Sequence, residues 1–139
     1  MKKTIILFVC LVMVMSCISV DIFAMEKNEA STYLLNASKV TTSFNIDENG
    51  NAIVNVGYRG IADVTTNAVI TVKIQKRFLL IFWQDVDGGE WTDYASGEYY
   101  STSHSVSVKS GTYRATVEYT IYGTGGAPDV ITEELKAEY

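Results

Sequence analysis

Residues 106–121 read Val-Ser-Val-Lys-Ser-Gly-Thr-Tyr-Arg-Ala-Thr-Val-Glu-Tyr-Thr-Ile, and the alternation in this stretch decides the fold. Tyr113, Ala115, Val117, Tyr119 and Ile121 fall on one parity, and Arg114, Thr116, Glu118 and Thr120 on the other. Successive side chains of a β-strand point to opposite faces, so this period of two gives one dry face and one wet face. Val106 and Val108 end an earlier strand of the same kind, and Lys109-Ser110-Gly111-Thr112 turns the chain between them. The reading is strand, corner, strand.

The same period recurs upstream. Val40, Thr42, Phe44 and Ile46 alternate with polar residues, Asp47-Glu48-Asn49-Gly50-Asn51 supplies Asn-Gly turn chemistry, and Val54, Val56 and Tyr58 resume the alternation. Ala68, Ile70, Val72 and Ile74 mark a third strand. Leu79 to Trp83 is continuously apolar and is expected to be a strand buried on both faces or one with a bulge, its neighbourhood ended by Gly88-Gly89. Gly123 to Pro128 forms a glycine-rich turn, and Val130 to Ala137 is a weaker closing strand whose alternation is spoiled by Glu133 and Glu134. Seven or eight short strands without a convincing amphipathic helix predict an all-β, single antiparallel β-sandwich, with a small barrel as the alternative.

The pattern Val-x-x-Gly-x-Tyr-x-Ala-x-Val over Val108 to Val117 resembles the tyrosine corner of immunoglobulin-like and fibronectin-like sandwiches. That resemblance implies structural roles for Gly111 and Tyr113, and it carries no immune function, since the Cys-Trp-Cys pattern of antibody domains is missing from the sequence. More loosely, a Trp-containing strand (Trp83) ahead of Gly111-Thr112-Tyr113-Arg114 resembles small uncharacterised secreted β-sandwich proteins of Gram-positive bacteria. That group implies no activity.

At the N-terminus, Lys2 and Lys3 precede eleven unbroken apolar residues, Ile5 to Met15. A membrane-spanning helix needs about 20 such residues, whereas the core of a secretory signal peptide needs roughly 7–15. Residues 1–24 are therefore expected to be a signal peptide cut after Ala24, residues 25–31 a flexible tether, and residues 32–139 the sandwich domain. The alternative is a lipoprotein signal, Val14-Met15-Ser16-Cys17, that would anchor the chain through a lipidated Cys17. Cys10 and Cys17 both precede the cut, so the domain is expected to fold without disulfides, on the strength of one hydrophobic core.

Cleavage removes Lys2, Lys3 and Asp21 and moves the formal charge from −5 to −6. With no Lys/Arg group denser than Lys73, Lys76 and Arg77, the sequence argues against nucleic acid and anionic lipid as partners, and no membrane span is expected. Chemistry is thinly represented. His104 is the only histidine, and its parity with Val106 and Val108 reads as a partly buried residue at a strand end. Asp85-Val86-Asp87-Gly88-Gly89-Glu90 fails the calcium-loop pattern at its fifth and sixth positions and reads as an acidic turn. Asn36-Ala37-Ser38 fits an N-glycosylation sequon that a bacterial leader would leave idle. No catalytic residue, metal site or cofactor is assigned, and no enzyme activity is expected.

Aromatic residues remain as the lead. Trp91, Tyr94 and Tyr99, with Tyr100, sit within ten residues that also hold hydroxyls and a carboxylate, a mixture suited to a glycan or a protein ligand outside the cell. Parity carried back from Val106 turns Tyr99 outward and Tyr100 towards the core. A secreted, extracellular binding module is the first expectation. An antimicrobial or toxin-like effector ranks second, and a hydrolase last.

Overall fold

Period-two alternation puts one row of side chains from each strand between two sheets, and the computed structural model, which describes residues 34–139, contains seven such strands. They are β1 (Ala37–Ile46), β2 (Asn51–Gly60), β3 (Thr65–Phe78), β4 (Phe82–Ser96), β5 (Tyr99–Ser107), β6 (Thr112–Gly123) and β7 (Asp129–Glu138). One sheet has the order β1-β2-β5 and the other β4-β3-β6-β7, with every pairing antiparallel. Two separate sheets make this an immunoglobulin-like sandwich and not a barrel. The expected signal peptide, the tether and the lipidation at Cys17 lie outside the described residues.

The strands read most clearly from the sequence are the central ones. Ala52, Val54, Val56 and Tyr58 of β2, Ala68, Ile70, Val72 and Ile74 of β3, and Tyr113 to Ile121 of β6 on alternate positions form the core. Each is flanked by a strand on both sides, so its inward side chains are fully covered, and burial of each Ile or Val contributes about 1.5–3 kcal/mol. On the edge strand β7, Glu133 takes an inward-parity position beside Ile131 and Leu135 and is only half-buried, as edge strands tolerate.

Two polar anchors tie the layers together. Tyr119 reaches across the sandwich from β6 to β1, where its hydroxyl lies 2.7 Å from the Thr42 hydroxyl and donates to the Thr41 carbonyl at 3.0 Å. Burial, outweighing the hydrogen bond to Thr42, pushes its ionisation up from 10.0. At the start of β7, the buried Asp129 carboxylate accepts the backbone N–H groups of Leu35, Asn36 and Ala37 at 2.8, 2.8 and 2.9 Å, fixing the entry into β1. The Asn36 amide is also buried and is spent on Ala127 and Gly125, so the sequon asparagine has no side chain to offer.

Tyr113 forms the corner. Its ring is buried, and its hydroxyl donates to the carbonyl of Lys109, four residues upstream, at 2.5 Å. Gly111 has φ 153°, a conformation open to glycine alone, and exchanges backbone hydrogen bonds of 2.9 and 3.0 Å with Tyr139. Tyr113→Phe keeps the ring and strands the Lys109 carbonyl, so it is expected to cost about 1–3 kcal/mol. Urea denaturation measures this, and an unchanged midpoint would mean that the bond does not hold the corner.

Three local expectations are corrected. First, the Leu79–Trp83 run is no buried strand: Leu79–Ile81 is the turn between β3 and β4, and Phe78 to Phe82 are 54–82% exposed. Leu79 and Leu80 hold φ of 47° and 68°, where an L-residue with a side chain pays roughly 1–2 kcal/mol. Second, Asp85–Glu90 is not a turn. β4 runs through it with a bulge, because Lys73 pairs with Glu90 and Gln75 with Asp85, leaving Val86 to Gly89 opposite Ile74 alone. Third, the β1–β2 loop uses the positive φ of Gly50 (74°) only. Asp47 makes the rest of the turn by accepting the N–H groups of Asn49 and Asn51 at 2.9 and 2.8 Å. The Asn51 side-chain amide, with the backbone bonds, holds the Asp47 carboxyl below its ordinary 3.8.

Candidate functional site

β1, β2 and β5 lay their outward side chains in rows across the three-stranded sheet. The register gives Lys39–Arg59–Tyr99, then Thr41–Gly57–Ser101, then Ser43–Asn55–Ser103, then Asn45–Ile53–Ser105. The second row has no side chain at its centre. Gly57 sits there with the Tyr100 carbonyl 2.8 Å from where a Cβ would stand, so any larger residue would displace the neighbouring strand. The missing side chain opens a depression of about 440 Å³ whose walls include Lys39, Thr41, Arg59, Tyr99 and Ser101. That volume falls in the ~300–1,000 Å³ range of small-ligand sites.

The depression joins chemistry that the flat face around it lacks. Tyr99 stands 69% exposed at its rim and offers a ring face. Thr41 and Ser101 supply hydroxyls on either side of Gly57, and Lys39 and Arg59 supply two cations, with no carboxylate among the lining residues. The site is cationic in a chain of formal charge −5. Beneath it, Tyr58 and Tyr100 face inward with ring centroids 6.4 Å apart, and Tyr58 donates to the Gly97 carbonyl at 2.8 Å. Burial first, and then the neighbouring Tyr100, raise the Tyr58 ionisation from 10.0.

Of the aromatic residues picked out by sequence, only Tyr99 and Tyr100 border the same depression, and Trp91, Tyr94 and Tyr99 lie apart. Tyr99 points outward and Tyr100 inward, each on the parity expected of it. Tyr94, 81% exposed, lies on the outer face of the other sheet, opposite Val69. Trp91 faces the interior opposite Val72 and is half-buried, its ring stacked on His104 with centroids 4.9 Å apart and planes at 15°. His104 sits in the middle of β5 and not at a strand end; its Nε2 lies 2.7 Å from the Asp93 carboxylate. Asp93, Trp91 and His104 therefore close the open side of the core between edge strands β4 and β5, and Trp91 belongs to that seal.

The Asp85 carboxylate of the acidic segment is also committed. Asp85 accepts from Gln75 at 2.7 Å and Lys73 at 3.3 Å, and these bonds, the Gln75 one foremost, hold its carboxyl below 3.8. Among the described residues no group of three His, Cys, Asp or Glu side chains converges as a metal site. Sequence reasoning found Tyr99 but missed Gly57, Lys39 and Arg59. The signal available was a glycine in mid-strand, which often marks close approach of another backbone or a ligand.

Fold and site together define an immunoglobulin-like β-sandwich with a tyrosine corner and a cationic, tyrosine-rimmed depression on its three-stranded face. No family model and no curated protein matches the chain. Among solved structures, it is similar to β-glucosidase from Listeria innocua in complex with glucose, at 14% identity and a TM-score of 0.45. The same enzyme in complex with gluconolactone gives 15% identity and a TM-score of 0.44. Each match covers 75% of this chain and 16% of the enzyme chain, so this chain spans about a sixth of the enzyme's length. A likeness this distant carries no functional argument.

Proposed function

We propose that this protein is a secreted binding module that recognises an acidic glycan outside the cell through the depression over Gly57, and that it acts by binding and not by catalysis. The observation that carries this reading is the composition of that site: an exposed tyrosine ring, two hydroxyls and two cations around a bare strand position, with no carboxylate in the lining. Sugar rings stack on flat aromatic faces, hydroxyls exchange hydrogen bonds with ring substituents, and Arg pairs with carboxylate or sulfate in two parallel bonds. The leader at residues 1–24 supports export, and the acidic charge of the rest of the chain leaves the cationic patch as the local attraction for an anion.

Binding to a polyuronate, its neutral counterpart and a sulfated polysaccharide tests the assignment by calorimetry. The acidic polymers are expected to bind more tightly, with affinity falling as salt screens Lys39 and Arg59. Replacing both cations, Lys39→Ala with Arg59→Ala, removes the charge from two exposed side chains and is expected to abolish the difference. Equal affinity for the neutral polymer, or affinity indifferent to salt, would reject the acidic ligand.

A further inference from the structure

We infer that the tip of the β3–β4 hairpin, Phe78–Phe82, inserts into the outer layer of an anionic phospholipid bilayer, a second contact surface separate from the depression. β3 leaves its other neighbour at Lys76, which pairs with Tyr113, while Arg77 and Phe78 pair only with Trp83 and Phe82 of the same hairpin. The tip therefore stands clear of the sandwich by roughly three residues, about 10 Å at ~3.3 Å per residue. That reach matches the ~5–10 Å to which apolar elements enter the boundary between headgroups and acyl chains.

Phe78, Leu79, Leu80, Ile81 and Phe82 are all exposed, and no polar side chain interrupts them. Hairpin turns ordinarily place Asn or Gly where φ is positive, yet here two leucines occupy such positions. A projection that is apolar on every side fits a solvent that is apolar on every side, which acyl chains provide.

Behind the tip the chemistry changes as a membrane interface requires. The Trp83 ring has the guanidinium carbons of Arg114 and Arg77 at 4.6 and 5.6 Å from its centre and the Lys136 ammonium at 5.9 Å. Tryptophan settles at headgroup level, and long cationic side chains reach phosphates from there. Glu134 engages both Arg114 and Lys136, at 2.9 and 3.4 Å. Among the described residues no carboxylate lies within 4 Å of Arg77 or of Lys76, whose ammonium donates to the Ser110 carbonyl. The sequence shows only a sparse basic run, whereas the fold gathers cations from β3, β6 and β7 around one tryptophan.

Vesicle flotation tests this with the chain from Met25, which keeps every core residue since these run from Ala37 to Ile121. Vesicles of phosphatidylcholine with phosphatidylglycerol are expected to carry the protein, and phosphatidylcholine alone several-fold less. The double variant L79N/L80G installs residues that accept positive φ, so it should melt no lower than the parent while its partition onto the anionic vesicles falls by at least about tenfold. Failure of the parent to float with either vesicle, or equal flotation of parent and variant, would overturn the inference. So would a variant that loses only self-association, since that would assign the tip to a second copy of the chain.

Discussion

Asp129→Ala is expected to destabilise the domain by about 3–5 kcal/mol, the loss typical of removing one partner from a buried, charge-assisted network. The carboxylate accepts three backbone N–H groups at once, those of Leu35, Asn36 and Ala37, where β1 begins. Alanine would leave these donors without a partner and too enclosed for water to serve them all. Against a total stability of about 5–15 kcal/mol, the loss lowers the melting temperature by at least about 12 °C. Asp129→Asn retains one acceptor oxygen and presents an NH2 group to one of the N–H donors, so it should fall between parent and alanine. Differential scanning calorimetry of the three proteins decides it. A loss below about 1 kcal/mol for alanine would show that β1 is held by packing alone.

Tyr99→Ala is expected to weaken glycan binding about thirtyfold, equivalent to roughly 2 kcal/mol, while leaving the melting temperature close to that of the parent. Its ring is mostly exposed at the rim of the depression and supports nothing beneath it, so removal should cost affinity without costing fold. Tyr94→Ala is the matched control, because Tyr94 is equally solvent-facing but lies on the other sheet. Isothermal titration of both variants separates a role in binding from mere exposure. Equal losses, or none in Tyr99→Ala, would remove the depression as the ligand site.

The sandwich was legible where burial and period coincide. β2, β3 and β6 lie between two neighbours, so their inward residues are uniformly apolar and their outward ones mostly polar, and Ile70, Val72 and Ile74 could be read directly. Composition says nothing of exposure, however, and the run from Leu79 to Trp83 reads as core because such residues are core in most chains. Its turn carries neither glycine nor asparagine at Leu79 and Leu80, so the signal for a hairpin was missing from the sequence. At Gly88-Gly89 the opposite occurred: turn-forming residues stand inside a strand and make a bulge.

The candidate site was half legible for a topological reason. Trp91, Tyr94 and Tyr99 are close in sequence, but the chain passes from one sheet to the other at Gly97-Glu98, and parity splits Trp91 from Tyr94 before that. Neighbours along the chain thus end on three different surfaces. Lys39, Gly57 and Tyr99 are far apart in sequence and meet only through the register of β1, β2 and β5. Asp129 was invisible for the same reason, since its three partners lie more than 90 residues away.

The most direct measurement is an amide chemical-shift titration of the labelled domain with a uronic-acid oligosaccharide. Binding at the depression predicts the largest changes at Lys39, Thr41, Gly57, Arg59, Tyr99 and Ser101, with the amides around Tyr94 and the Leu79–Ile81 turn unmoved. Shifts centred on either of those two regions, or no saturable shifts at all, would contradict the account.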